Sequence, residues 1–177
     1  MENKNLLEVE HLHVCFHSSS RGKTKTVQAV DDVSFCVQES ETFGLVGESG
    51  CGKTTTGRAI LRLYDPDEGT IRFQGREISG KMTRELRHFI TSHIAMIFQD
   101  PIESLNPRMT VAEIVGEGLK YRGVTEPREI RRRVGEMLEK VGLTQEHASR
   151  YPHEFSGGQR QRIGIARALI VEPSLVI

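Results

Sequence analysis

One short segment of the sequence has the residue types and spacing needed to hold a phosphate group. Residues 47–54 are Gly-Glu-Ser-Gly-Cys-Gly-Lys-Thr, which matches the phosphate-binding loop pattern G-x-x-x-x-G-K-[ST]. Glycines let the backbone curl around an anion, so that successive N–H groups point at phosphate oxygens. In this pattern Lys53 reaches the β- and γ-phosphates, and the Thr54 hydroxyl binds Mg²⁺. The segment therefore predicts binding of a nucleoside triphosphate.

A phosphate-binding loop requires a strand before it and a helix after it. The apolar run at residues 42–46, Thr-Phe-Gly-Leu-Val, predicts a buried strand, and residues 55–63 predict a helix. The N-terminus of that helix adds the positive end of a dipole behind the loop. A simple glycine-rich turn before a helix is the alternative, but every fixed position of the pattern matches.

Hydrophobic alternation predicts a β-layer in the N-terminal part of the chain. Residues 6–17 and 27–37 are expected to form two antiparallel strands, joined by a polar turn at residues 18–25. Further along, we expect a short strand at residues 70–73 and a helix at residues 83–92. The apolar residues 94–98 predict a core strand.

The middle of the chain has the pattern of a helical subdomain inserted into an α/β core. Thr110 is a candidate N-cap for a helix at residues 110–121, because Glu113 stands at the capping-box spacing. Pro127 begins a second helix, at residues 127–141. Ser156 is the candidate N-cap of a helix that runs to about residue 170, and residues 175–177 begin another apolar strand.

Composition and charge are those of a globular protein of one domain. The 177 residues include 24 basic and 24 acidic side chains, and this balance gives no electrostatic reason to bind nucleic acid. No apolar segment approaches the roughly 20 residues of a membrane span. The cysteines, at positions 15, 36 and 51, are odd in number and widely spaced, which argues against a disulfide framework or a zinc site.

Three further features make the phosphate loop specific to one family. Phe16 lies on a predicted strand before the loop, Gln99 follows an apolar strand, and residues 155–159 are Phe-Ser-Gly-Gly-Gln. In this order they resemble the ATP-binding subunit of ABC transporters, whose signature is usually Leu-Ser-Gly-Gly-Gln. Phe155 replaces the leucine. The resemblance extends over nearly the whole chain, from residue 6 to residue 177.

A narrower resemblance is to the oligopeptide and dipeptide importers of this family. It is carried by Gln-Asp-Pro at residues 99–101, Ser-Leu-Asn-Pro-Arg-Met-Thr at residues 104–110 and Arg-Tyr-Pro-His-Glu-Phe at residues 150–155. The second of the two ATPase subunits (the F type) is the closer likeness. Nickel importers share much of this pattern, so the cargo stays open between peptides and nickel.

The resemblance implies an α/β fold: a P-loop NTPase (RecA-like) core with an N-terminal antiparallel β-layer and an inserted helical subdomain. Residues 1–98 and 157–177 would form the core, and residues 99–156 the helical subdomain. In the family, the strand begun at residue 175 continues to an Asp that holds Mg²⁺ and a Glu that polarises the attacking water. Both lie past residue 177. We therefore expect a single, incomplete, C-terminally truncated domain that binds nucleotide but does not hydrolyse ATP at a useful rate.

The resemblance also assigns roles to individual residues. Phe16 would stack on the adenine ring; its alternative role is that of a core aromatic. Lys53 and Gln99 would act in catalysis, and Thr54 and Gln99 would bind Mg²⁺. The signature residues would contact ATP held by an opposite subunit. The residues expected to bind ATP and Mg²⁺ are Phe16, Gly47, Glu48, Ser49, Gly50, Cys51, Gly52, Lys53, Thr54, Thr55, Gln99, Ser156, Gly157, Gly158 and Gln159.

The implied partners are a second ABC ATPase subunit, in a head-to-tail homo- or heterodimer, and the transmembrane permease subunits, which would bind the segment from Gln99 to Thr110. The implied function is to couple ATP binding and hydrolysis to import of oligopeptides or dipeptides, at the cytoplasmic face of the cell membrane. One alternative is a non-catalytic nucleotide-binding fragment of such a subunit. A remote one is an ABC-type DNA-repair ATPase, but the chain has neither the coiled coil nor the zinc insert usual in those proteins.

Overall fold

The computed structural model describes residues 5–20, 23–100 and 104–177. The chain divides into two compact units, Met1–Ile90 and Thr91–Ile177, and each is described by itself. The division into a core of residues 1–98 and 157–177 and a helical subdomain of residues 99–156 stays a prediction. No helix among the described residues is long and apolar enough to cross a membrane.

The first unit contains a four-stranded antiparallel sheet. Its strands are β1 (Asn5–Ser20), β2 (Lys23–Gln38), β3 (Glu68–Phe73) and β4 (Arg76–Glu77), in the order β2-β1-β3-β4. The predicted antiparallel pair is confirmed. Of the turn predicted at residues 18–25, residues 18–20 and 23–25 are strand instead, and residues 21–22 lie outside the described residues. Ser18 is paired to Lys25 and Ser20 to Lys23. The largest fully buried side chains of this unit are Phe73, Leu7, Leu12, Ile71 and Ile78.

The segment before the phosphate loop is not the buried strand that its apolar residues predict. Residues 41–48 form no regular element and are exposed, with Val46 at 88% of its full accessibility. A strand of a parallel sheet needs hydrogen-bonding neighbours along its edges. No strand in the described part of the chain pairs with residues 42–46. Without such a neighbour, apolar sequence alone does not hold these residues in a sheet.

The helix after the loop is α1 (Lys53–Ile60), which begins two residues before its predicted start and ends earlier. Its Thr56, Gly57, Ala59 and Ile60 are buried. A second helix, α2 (Arg84–His93), confirms the helix expected at residues 83–92.

The second unit has a short parallel sheet of two strands. Strand β5 (Ile94–Ala95) pairs with β6 (Leu175–Val176), and the Ile97 N–H donates to the Ile177 carbonyl at 2.8 Å. Only the first two residues of the core strand predicted at residues 94–98 are therefore strand. Phe98 is 40% exposed, because the sheet ends before it.

Helices make up most of the second unit. They are α3 (Val111–Tyr121), α4 (Pro127–Lys140) and α5 (Gly157–Leu169), with 3₁₀ turns at Gln145–Ser149 and Pro152–Glu154. The predicted capping box is present, because Thr110 Oγ1 accepts from the Glu113 N–H and Glu113 Oε2 accepts from the Thr110 N–H. Pro127 is in the first turn of α4, as predicted. The helices enclose a core that includes Val111, Val115, Leu119, Leu138, Phe155 and Ile163.

Candidate functional site

The ammonium group of Lys53 is held over the phosphate loop by the backbone of the loop itself. Lys53 Nζ donates to the carbonyl oxygens of Gly47 at 2.7 Å and Glu48 at 2.5 Å, and lies 3.5 Å from the sulfur of Cys51. Across the described residues, no carboxylate forms an ion pair with Lys53. The loop therefore carries an ammonium charge that is positioned by neutral carbonyls and not neutralised by a side chain.

Glycine is required at one position of the loop, and a second glycine is closely packed. Gly52 has φ of +96°, and a Cβ atom there would lie 2.2 Å from the Ala29 carbonyl oxygen on β2. A Cβ atom at Gly47 would lie 2.5 Å from the sulfur of Cys51. These contacts show that the loop packs against itself and against the sheet of the first unit, which fixes where its N–H groups point.

The start of α1 has unpaired N–H groups in the position that suits an anion. The first N–H groups of a helix have no carbonyl four residues before them, and the N-cap, Gly52, has no side chain to cap them. Thr54 is exposed and Thr55 half-buried, whereas the hydroxyl of Thr56 donates to the Gly52 carbonyl at 3.1 Å. Together with the Lys53 ammonium, this arrangement fits a phosphate group.

A divalent ion bound here would need ligands from outside the protein. The described residues contain no group of three or more His, Cys, Asp or Glu side chains that could hold a metal. Mg²⁺ is usually held by only one or two protein ligands, with waters and substrate phosphates completing its octahedron. The exposed Thr54 hydroxyl is therefore a suitable protein ligand.

Phe16 is a surface residue of β1 rather than the core aromatic that was its alternative role. It is 39% exposed, and its ring meets that of Tyr64 edge-to-face, with centroids 5.0 Å apart. Arg58 of α1 donates to the Tyr64 hydroxyl at 3.1 Å. Tyr64 and Arg58 could not be predicted as neighbours of Phe16, because no local pattern relates a residue of the α1–β3 connection to a residue of β1.

The signature residues form the start of α5. Ser156 Oγ accepts from the Gln159 N–H, and Gln159 Oε1 accepts from the Ser156 N–H at 3.0 Å, so the predicted N-cap is confirmed. Gly157 and Gly158 are exposed, and a Cβ atom at either position would meet nothing within 4 Å. Packing among the described residues therefore gives no reason for glycine at these two positions.

Gln99 lies just past β5 and is exposed, outside any regular element. The structure thus places the expected ATP-binding residues in two groups. Phe16 and residues 47–55 belong to the first unit, and Gln99 and residues 156–159 belong to the second.

Comparison with known proteins identifies relatives over almost the whole chain. The family described as ABC transporter matches residues 30–177. The oligopeptide transport ATP-binding protein OppF of Bacillus subtilis is 54% identical over 98% of this chain and 56% of its own length. The dipeptide transport ATP-binding protein DppF of Lactococcus lactis is 51% identical over 99% of this chain and 56% of its own length. The chain thus spans little more than half the length of these relatives.

Solved structures share the fold. The ATP-binding cassette MJ0796, solved as a dimer in a post-hydrolysis state bound to ADP and Pi, superposes with a TM-score of 0.84 at 28% identity. The alignment covers 96% of this chain and 72% of that cassette. The predicted fold class is therefore confirmed: an ABC-type P-loop fold with an N-terminal antiparallel sheet.

Proposed function

This chain belongs to the ABC transporter family, among the ATP-binding proteins of oligopeptide and dipeptide transport, and from that premise we propose what it does. It binds ATP, and as part of an importer's ATP-binding subunit it serves to couple ATP binding and hydrolysis by that subunit to the import of oligopeptides or dipeptides through a membrane permease. The observation that carries the proposal is the phosphate loop, where an un-neutralised Lys53 ammonium lies beside the uncapped start of α1. The proposal that the cargo is a peptide is based on the names of the relatives.

The residues of the loop supply charge and orientation. Lys53 and the N–H groups of residues 49–55 would hold the β- and γ-phosphates, because a fixed ammonium and a helix N-terminus both favour anions. The Thr54 hydroxyl would hold Mg²⁺, with Gln99 as its second protein ligand. Phe16, which is 39% exposed, would stack on the adenine ring. Bound ATP would supply the phosphoryl group whose transfer to water drives transport.

The signature would act on a second subunit. Gly157 and Gly158 leave open space where side chains would stand, and this suits close approach by another molecule to the N–H groups at the start of α5. The MJ0796 cassette was solved as a dimer. We propose that residues 156–159 face ATP on the opposite subunit of such a dimer, that residues 99–110 bind the permease, and that the protein works at the cytoplasmic face of the membrane.

Peptide uptake in the native cell tests the transport function. Cells whose gene has been deleted should lose uptake of a labelled tetrapeptide and keep uptake of ⁶³Ni²⁺. The wild-type gene should restore peptide uptake, and the Lys53→Ala allele should not. Lys81→Ala, which removes an exposed lysine outside the loop, is the matched control and should restore it. Loss of nickel uptake with intact peptide uptake would contradict the proposed cargo.

A further inference from the structure

The exposed ring of Phe16 is flanked by an aromatic ring from another part of the chain. Phe16 of β1 and Tyr64, in the connection between α1 and β3, form an edge-to-face pair with centroids 5.0 Å apart and 84° between the ring planes. Phe16 is 39% exposed and Tyr64 is half-buried. A perpendicular neighbour covers at most one face of a ring, so at least one face of Phe16 stays free of Tyr64.

Tyr64 is itself held by Arg58 of α1. Arg58 Nη1 donates to the Tyr64 hydroxyl at 3.1 Å, and the carbon of the guanidinium lies 5.8 Å from the centre of the Tyr64 ring. The backbones are bonded as well, because the Tyr64 N–H donates to the Arg58 carbonyl at 3.5 Å. Tyr64 is therefore fixed at both ends of its side chain, which restricts the positions open to its ring.

The connection that contains Tyr64 is also hydrogen-bonded to β1 next to Phe16. The Cys15 N–H donates to Asp67 Oδ2 at 2.6 Å, and the Asp67 N–H donates to the His13 carbonyl at 3.0 Å. Asp67 immediately precedes β3. These bonds hold the connection against the strand that contains Phe16, so the contact between the two rings does not depend on ring attraction alone.

Arg58 belongs to the helix whose first residues adjoin the phosphate loop. Helix α1 begins at Lys53 and includes Arg58. A helix rises about 1.5 Å per residue, so these two residues are about 7.5 Å apart along its axis. The helix, Arg58 and Tyr64 thus connect the phosphate loop to the ring of Phe16.

We propose that Tyr64, held by Arg58, is a positioning residue that fixes the plane of the Phe16 ring for stacking on adenine. This inference rests on the proposed function of Phe16 in binding the base. Neither Tyr64 nor Arg58 needs to touch the nucleotide. A ring that is ordered beforehand loses less rotamer freedom when a base stacks on it. The pair therefore raises the affinity for the base and leaves the affinity for the triphosphate unchanged.

Two ligands that share a triphosphate separate this role from a general loss of structure. In Tyr64→Leu, Mg-ATP should bind about three- to tenfold more weakly, because stacking on a disordered ring is less favourable. Binding of Mg-tripolyphosphate, which has no base, should not change. Tyr64→Phe keeps the ring and should restore most of the affinity for Mg-ATP. Equal losses for both ligands, or no loss of Mg-ATP binding, would overturn the inference.

The matched control is Tyr121→Leu, at a tyrosine that is 81% exposed at the end of α3. It removes the same side chain from a place without contact to Phe16 in the described residues. Both ligands should bind to Tyr121→Leu as they bind to the wild type. Losses in Tyr121→Leu that equal those in Tyr64→Leu would overturn the inference.

Fluorescence tests the orientation of the ring without nucleotide. The chain contains no tryptophan, so Phe16→Trp introduces a single indole at the stacking position. Adding Tyr64→Leu should lower the fluorescence anisotropy of this indole and raise its quenching by acrylamide about twofold, because the ring gains faster motion. Adding Tyr121→Leu should change neither. Equal anisotropy and quenching with and without Tyr64→Leu would overturn the inference.

A double-mutant cycle separates the inference from the proposed function of Phe16. Phe16→Ala should weaken binding of Mg-ATP by about tenfold. In that background Tyr64→Leu should have no further effect, since both changes act through one ring. Additive losses would overturn the inference. If Phe16→Ala leaves Mg-ATP binding intact while the Phe16→Trp fluorescence responds to Tyr64→Leu, Tyr64 positions the ring and the proposed role of Phe16 fails.

Discussion

At the scale of single residues, the backbone of the phosphate loop matters as much as its side chains. The sequence pattern identified Lys53 and the glycines correctly as one loop. It did not predict that Gly52 is required by the β2 backbone, with the Ala29 carbonyl 2.2 Å from where a Cβ would stand. That contact depends on how β2, the strand that precedes the loop in sequence, packs behind it. A pattern of residue types carries no such information.

Alanine at two loop glycines separates steric clash from backbone strain. Both Gly52 and Gly50 have positive φ, at +96° and +82°, but a Cβ at Gly50 would meet nothing within 4 Å. Gly50→Ala should lower the free energy of unfolding by about 1 kcal/mol through strain alone. Gly52→Ala should lower it by roughly 2 kcal/mol or more, because the clash adds to the strain. Urea denaturation measures both, and equal losses would show that the Ala29 contact is unimportant.

Two exposed thiols of the same chain allow nucleotide protection to be measured with an internal control. Cys51 lies in the phosphate loop, 3.5 Å from Lys53 Nζ, and Cys36 is exposed on β2. Saturating Mg-ATP should slow alkylation of Cys51 severalfold, because bound phosphates cover the loop. Alkylation of Cys36 should keep its rate. Mass spectrometry of the labelled peptides reports both. An equal rate at Cys51 with and without nucleotide would contradict a formed site.

At the scale of elements, helices were predictable because their signals are local. The capping residues Thr110, Ser156 and Pro127 mark helix starts through contacts within one turn, and each helix begins where they indicate. The strand predictions at residues 42–46 and 96–98 were wrong, because the stability of a strand depends on neighbouring strands that local sequence does not specify. The prediction of the antiparallel pair β1 and β2 was confirmed, because these two strands are adjacent in sequence and pair with each other.

The charged face of α4 predicts a dependence of stability on pH. Hydrogen bonds from Arg132 and Arg133 lower the pKa of Glu129 from 4.5 to about 2. A carboxylate whose pKa is lowered by folding stabilises the folded state at any pH above its unfolded-state pKa. This contribution to stability is lost as pH falls from about 4.5 towards 2. Glu129→Gln should therefore lower Tm slightly at pH 7, and the difference from wild type should shrink between pH 5 and pH 3.

The effect of Glu129→Gln on Tm should be small, because the ion pairs of Glu129 with Arg132 and Arg133 are exposed to solvent and are therefore screened. Raising the salt concentration should reduce the Glu129→Gln difference at pH 7. A difference that is constant from pH 7 to pH 3 would contradict the assignment of the pKa shift.

At the scale of the whole molecule, the order of the sequence motifs along the chain was the strongest indication of the fold. The phosphate loop, Gln99 and the Ser-Gly-Gly-Gln segment together indicated an ABC-type fold, which the relatives and the solved cassettes confirm. The division into the units Met1–Ile90 and Thr91–Ile177 was not predicted. Where a chain divides depends on the sum of many long-range contacts, which no single motif encodes.

Equilibrium binding of Mg-ATP to the purified protein, measured by isothermal titration calorimetry, tests whether residues 47–55 hold the nucleotide. We expect saturable binding of one ATP per chain, weakened at least tenfold by Lys53→Ala and unchanged by Lys81→Ala. Of these two lysines, Lys53 is the one whose ammonium lies over the loop. Binding that is absent in the folded wild-type protein, or equally strong in Lys53→Ala, would contradict the assignment of residues 47–55 as the nucleotide site.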